Sequence, residues 1–114
     1  MGKTLGEFEQ LVLFAVVRLG EDAYGAAVRR EIETRTGRPV SAGAVYTVLE
    51  RLESRKLVAS WVGEPTPERG GRRRKYYRVE PRGARLLRAS HDQIQRMAEG
   101  LAPQLARLAD GGGS

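Results

Sequence analysis

The sequence predicts a mainly α-helical protein with one two-stranded β-hairpin. Three observations carry that prediction. Apolar residues recur at helical spacing in three successive segments before residue 55. The period then shortens to two in a pair of short segments flanking a loop rich in Gly, Pro and Arg. In the last segment Leu87, Ile94, Leu101 and Leu108 repeat every seven positions.

The first helix is expected to begin near Thr4. Thr4-Leu5-Gly6-Glu7 has the form of a capping box, in which hydroxyl and carboxylate each take an unpaired backbone N–H. Leu5, Phe8, Leu11, Val12, Ala15, Val16 and Leu19 form its apolar stripe, and Gly20 ends it. Asp22 is the expected N-cap of the second helix, with Tyr24, Ala27, Val28 and Ile32 on one face. Gly37 and Pro39 stop it. Ser41 is the expected N-cap of the third helix, whose buried stripe is Val45, Val48, Leu49 and Leu52. Its first turn, Ala42-Gly43-Ala44, is small. Two reasons compete for that: close packing against the second helix, or close approach to another surface.

Residues 57–62 and 75–79 are predicted strands, rich in Val, Trp and Tyr. The segment between them holds two prolines and two adjacent glycines, and is too long for a tight turn. Trp61 is assigned to the core. Pro81 opens the last helix, with Met97 and Leu105 between the heptad positions. Seven-residue spacing calls for a partner helix, and Gly100 and Pro103 predict a kink or break. The expected organisation is residues 1–80 as one domain, 81–109 as a C-terminal dimerisation helix, and 110–114 as a disordered tail.

The chain has 114 residues and a net charge of +6. Residues 1–57 carry +1, residues 58–80 carry +3 and residues 81–114 carry +2. Within the middle segment Arg69, Arg72, Arg73, Arg74, Lys75 and Arg78 are crowded together. A focused positive patch on a nearly neutral body suits a polyanion, although charge alone also fits a solvated run or a membrane-surface patch. The absence of cysteine excludes disulfides and thiolate chemistry and suits a cytoplasmic setting. The longest apolar run, Leu11 to Val17, is too short to span a bilayer, and the N-terminus shows no signal-peptide pattern. No catalytic set, cofactor motif or metal-ligand cluster stands out. His91, the lone histidine, is expected at the surface.

The order helix, helix, helix, hairpin, helix is that of a winged helix-turn-helix. The second and third helices form the helix-turn-helix, and the hairpin is the wing. In that arrangement the first turns of the third helix enter the major groove. The candidate DNA-binding residues there are Ser41, Ala42, Gly43, Tyr46, Thr47 and Arg51. For Tyr46 the competing assignment is a half-buried aromatic beneath the second helix. On the wing the candidates are Arg69, Gly70, Gly71, Arg72, Arg73, Arg74 and Lys75. Arginine matches phosphate oxygens bidentately, and the glycines let backbone approach the duplex.

Four segments resemble the PadR family of bacterial transcription regulators. They are Leu5-Gly6-Glu7-Phe8-Glu9-Gln10, Asp22-Ala23-Tyr24-Gly25, the run Gly43 to Leu52, and Gly70-Gly71-Arg72-Arg73-Arg74-Lys75-Tyr76-Tyr77. The resemblance implies a homodimer on an inverted-repeat operator in double-stranded DNA, acting as a repressor. It also implies release by a small, often aromatic effector bound near the dimer interface. By position it adds Tyr24 and Gly25 near phosphates. It implies dimerisation through the C-terminal helix, aided by the first, so that Leu5, Phe8, Leu87, Ile94, Met97, Leu101, Leu105 and Leu108 are the candidate contacts. The C-terminal helix lacks the tryptophan with which some family members stack flat drugs, so the effector site is unplaced. The alternative from another class is a winged-helix protein-interaction module without sequence-specific DNA binding.

Overall fold

The computed structural model describes residues 4–67, 70 and 73–111. Helix α1 (Glu7–Leu19) is followed by a 3-10 turn (Gly20–Asp22), α2 (Gly25–Thr36) and α3 (Ala42–Ser54). An antiparallel hairpin of β1 (Val58–Val62) and β2 (Lys75–Val79) comes next, then α4 (Pro81–Ala98) and α5 (Ala102–Gly111). This is the mainly α fold with a two-stranded β wing. Among the described residues no helix is long and apolar enough to cross a membrane.

The start of α1 differs from expectation. Gly6 is the N-cap, and the Glu9 carboxylate reaches back to accept its N–H at 2.9 Å. Thr4 does not cap, because the helix starts only at Glu7 and the Gly6 N–H is taken by Glu9; Leu5 before it is buried and its N–H donates to Ser90 Oγ of α4. Gly20 ends α1 at φ 59°, a conformation that costs side-chain-bearing residues more. The Asp22 assignment also fails. Asp22 lies in the 3-10 turn, and the chain runs extended through Ala23 and Tyr24 before α2 begins. There the Ala23 carbonyl accepts the Tyr77 N–H at 2.8 Å, and Tyr24 bridges to Tyr76. Backbone pairing with the wing therefore sets where α2 begins. Ser41 caps α3 as expected, its Oγ accepting the Ala44 N–H at 3.1 Å. Lys56 closes the helix region at φ 62°, a left-handed conformation that the sequence did not announce.

Helices α1, α2 and α3 and one face of the hairpin share a single core. Val12, Leu13 and Val16 meet Val28, Ile32, Val45, Leu49 and Leu52, closed by Leu57, Val58 and Tyr77. Fully burying each such aliphatic side chain contributes about 1.5–3 kcal/mol relative to leaving it in water. Burial also pushes the Tyr77 phenol above its ordinary pKa, so it stays neutral. The hairpin register pairs Val58 with Val79, Ser60 with Tyr77 and Trp61 with Tyr76. Ser60 and Lys75 both reach Glu53 of α3: the Ser60 hydroxyl donates to one carboxylate oxygen, and Lys75 Nζ lies 3.3 Å from the other. The Ser60 hydrogen bond, helped by the ammonium, holds the Glu53 carboxyl below its ordinary range against a smaller desolvation effect. The same contact raises Lys75.

Helix α4 begins inside this domain and leaves it. Gly83 sits on the Leu57 carbonyl, Leu87 joins the core, and Ser90 is buried. His91 is half-buried, edge-on to Phe14 with centroids 5.4 Å apart. From Gln93 onward every described side chain is exposed, and α5 makes no substantial contact with any other element. The protein is accordingly long, 58 × 35 × 20 Å. The expected break is present: α4 stops at Ala98, Gly100 takes φ 79°, and Pro103 falls in the first turn of α5. The C-terminal segment is thus two helices, and Asp110 and Gly111, expected in a disordered tail, are helical. Trp61 is also not core. It is 37% exposed and stacks on Tyr76.

Two outcomes follow. Gly83→Ala would drive a Cβ into the Leu57 backbone and should cost about 1–3 kcal/mol in urea denaturation, as overpacking does. A cost near zero would mean that α4 is not seated there. Glu53 has its pKa lowered on folding, so its contribution is present above its ordinary value near 4.5 and is lost as pH falls through the lowered one. Between pH 7 and pH 3 the wild type should lose more stability than Glu53→Gln; equal losses would remove the Ser60–Glu53–Lys75 contact from the account.

Candidate nucleic-acid interface

Burial of Val45, Val48, Leu49 and Leu52 forces the opposite side of α3 outward. Ser41, Ala42, Gly43, Thr47 and Arg51 are all exposed there. A Cβ on Gly43 would meet nothing, so packing against α2 does not explain the small first turn. What remains is an unobstructed N-terminal turn that another surface can approach. Tyr46 combines both of its expected settings. Its ring lies on Gly25, where any Cβ would collide with it, yet it remains 45% exposed. Gly25 is thus needed for close approach, and Tyr46 bridges the exposed face of α3 to the start of α2.

Tyr24 stands next to that contact and links it to the wing. Its ring meets Tyr76 edge-on at 5.7 Å, and Tyr76 in turn stacks on Trp61 at 5.6 Å with 18° between planes. The Arg74 guanidinium lies over the Tyr24 ring at 3.9 Å, and Arg30 Nη2 donates to the Tyr24 hydroxyl at 2.9 Å. Arg73 is exposed. Lys75 is exposed but tied to Glu53, which anchors the wing to α3. Gly70 makes an exposed turn at φ 64°, its N–H donating to the Pro67 carbonyl at 3.0 Å. Arg69, Gly71 and Arg72 lie outside the described residues.

The structure thus brings Tyr24, Gly25, Tyr46 and Arg74 together, with Ser41, Ala42, Gly43, Thr47 and Arg51 on the adjoining helix and Gly70, Arg73 and Lys75 on the wing. Of the candidate dimer contacts, Leu5 and Leu87 belong to the chain's own core and Phe8 packs against it. Ile94, Met97, Leu101, Leu105 and Leu108 are exposed on the arm formed by α4 and α5. Sequence reasoning missed Arg30 and the Trp61–Tyr76–Tyr24 ladder. The adjacent Tyr76 and Tyr77 of β2, flanked by Lys75 and Arg78, were the only hint of the ladder. A separate cleft of about 370 Å³ lies beside His91 of α4 and is also lined by Leu11, Phe14, Arg18, Ile32 and Arg35.

Residues 13–89 match the Transcriptional regulator PadR-like family, a span running from α1 to the middle of α4. No curated protein matches the chain. Among solved structures, a PadR family transcriptional regulator from Eggerthella lenta is 33% identical at TM-score 0.66, over 87% of this chain and 86% of its own. A PadR family regulator from Clostridium difficile is 24% identical at TM-score 0.69, over 89% of this chain and 99% of that one. F93 from STIV, a winged-helix DNA-binding protein, shares the fold at TM-score 0.67 with 18% identity, over 86% of this chain and 98% of that one. On the exposed helix, the adjoining wing and these matches together, the chain belongs to the PadR-like family of transcriptional regulators and has its winged-helix fold.

Proposed function

We propose that the protein is a sequence-specific DNA-binding repressor that works as a homodimer on an inverted repeat. The observation that carries this is the run of contacts from the exposed first turn of α3, through exposed Tyr46 seated on buried Gly25 and the half-buried Tyr24, to half-buried Arg74 and exposed Arg73 of the wing. The first turns of α3 enter the major groove, with Ser41, Ala42, Gly43, Thr47 and Arg51 toward base edges and phosphates. The wing, including Arg69, Gly70, Gly71 and Arg72, follows the sugar-phosphate edge.

Dimerisation through the arm has its own physical support. Helix α5 has ten residues and no substantial tertiary contact, and isolated helices of that length are marginal in water. Ile94, Met97, Leu101, Leu105 and Leu108 are 39–77% exposed, and a second copy of the arm would cover them. The broken helix makes this two short seams rather than one continuous heptad run. For the effector we assign the cleft beside His91 of α4, where apolar Leu11, Phe14 and Ile32 are rimmed by Arg18, His91 and the Arg35–Glu31 ion pair. A small aromatic molecule there would press on the root of the arm and so change the spacing of the two α3 helices.

Arg73→Ala combined with Arg74→Ala should weaken binding to every duplex and lower the slope of log affinity against log salt, as expected when phosphate contacts are lost. Unchanged affinity would remove the wing from the mechanism. Absence of any DNA binding by the wild type at low salt would favour the protein-interaction module instead. Leu101→Asp should give monomers in analytical ultracentrifugation and weak DNA binding, because the seam would bury an unpaired charge. A dimer of unchanged stability would contradict the arm as the interface.

A further inference from the structure

Helix α2 carries three arginines, a fourth follows it, and their surroundings differ. Arg29 is 3.6 Å from Glu33 and donates to the Val40 carbonyl at 2.8 Å. Arg35 is held by Glu31 at 2.7 Å. Arg38, just beyond the helix, pairs with Glu7 at 2.9 Å. Arg30 has no carboxylate partner among the described residues and instead donates to the Tyr24 hydroxyl, with its guanidinium carbon 5.7 Å from that ring. Arg74 of the wing, also without a carboxylate partner among the described residues, covers the same ring at 3.9 Å. Two cations with no carboxylate partner among the described residues are thus gathered, from different elements, on one tyrosine. A guanidinium laid on an aromatic face keeps its N–H edge free, and that edge suits phosphate oxygens. Tyr24 is itself fixed by its bridge to Tyr76, and it directly precedes the Gly25 on which Tyr46 rests.

We propose that Arg30 is a phosphate-contacting residue of the DNA surface and that Tyr24 is the positioning residue that sets Arg30 and Arg74 side by side as one clamp on the duplex backbone. This rests on the DNA-binding function proposed above. The clamp adds a contact from α2, outside both the reading helix and the wing tip. It ties the wing to the helix-turn-helix through a side chain that touches both cations.

The test is binding of a labelled mixed-sequence duplex by fluorescence anisotropy across a salt series. Each phosphate contact contributes about 0.9 to the salt slope. Arg30→Ala should therefore shrink the affinity ratio between about 50 and 200 mM salt by about 3.5-fold. Arg29→Ala removes the same charge from the same helix, at a side chain held by Glu33, and should leave that ratio nearly unchanged. Tyr24→Phe keeps the ring beneath Arg74 but removes the oxygen that holds Arg30. It should weaken binding, and Tyr24→Phe with Arg30→Ala should be no weaker than Arg30→Ala alone, because the two act through one contact. Urea midpoints of Arg30→Ala and Tyr24→Phe should match the wild type, separating this role from a structural one. Equal salt slopes for Arg30→Ala and Arg29→Ala, or additive losses for the Tyr24 and Arg30 changes, would overturn the clamp while leaving DNA binding intact. A wild type that binds no DNA at low salt would overturn both.

Discussion

Burial of one stripe of α3 is the constraint on which the rest depends. Val45, Val48, Leu49 and Leu52 enter a core shared with α1, α2 and the hairpin, and the helix cannot rotate without exposing them. Truncating any one of the larger of these typically costs about 2–5 kcal/mol, a large part of the stability of a domain this size. The same stripe fixes what faces outward. Ser41, Gly43, Tyr46, Thr47 and Arg51 are presented because their neighbours in the helical repeat are not free to turn. Hydrophobic patterning thus sets the orientation of the polar surface, and the function proposed for the chain inherits its geometry from the core.

The wing is held to that helix by two different kinds of contact. On one side Ser60 and Lys75 grip Glu53, a polar link whose strength varies with pH. On the other, the backbone bond from Tyr77 to Ala23 and the Tyr24–Tyr76 bridge make the chain before α2 act as a short third strand. The aromatic ladder of Tyr24, Tyr76 and Trp61 fills the space beside that bridge, and Gly63 keeps it open because any Cβ there would strike Tyr76. The position of the arginines relative to α3 therefore comes from strand pairing and ring packing, while their own charge adds little to the fold.

Much of this was legible in the sequence, for definite reasons. Period 3.6 marked α1 to α3, Ser41 and Gly37 marked caps whose chemistry is local, and Gly100 and Pro103 marked the break between α4 and α5. What was not legible depends on contacts distant in sequence. Thr4 looked like a cap, but the Leu5 N–H bonds to Ser90, 85 residues away, and α1 begins only at Glu7. Asp22 looked like a cap until Ala23 and Tyr24 paired with the wing. Trp61 looked like core because large aromatics usually are, and only the register with Tyr76 places it on the outer face. Lys56 adopts a left-handed conformation with no glycine to signal it. At the candidate site, the reading helix and the arginine-rich wing came from pattern, whereas Arg30 had no local signal because its role is defined by a ring six positions away.

In the dimer we propose, the arm converts a single reading surface into a pair. A core-anchored α4 that emerges as an apolar, unsupported extension is a poor solution for a solitary chain and a good one for two chains side by side. The most direct measurement of that claim is selection of bound sequences from a random duplex pool. Two inverted half-sites with centres about 10–10.5 base pairs apart, or a multiple of that, are predicted, because paired α3 helices must meet successive major grooves on one side of the duplex. Enrichment of single half-sites at no fixed spacing, or no enrichment at all, would contradict it.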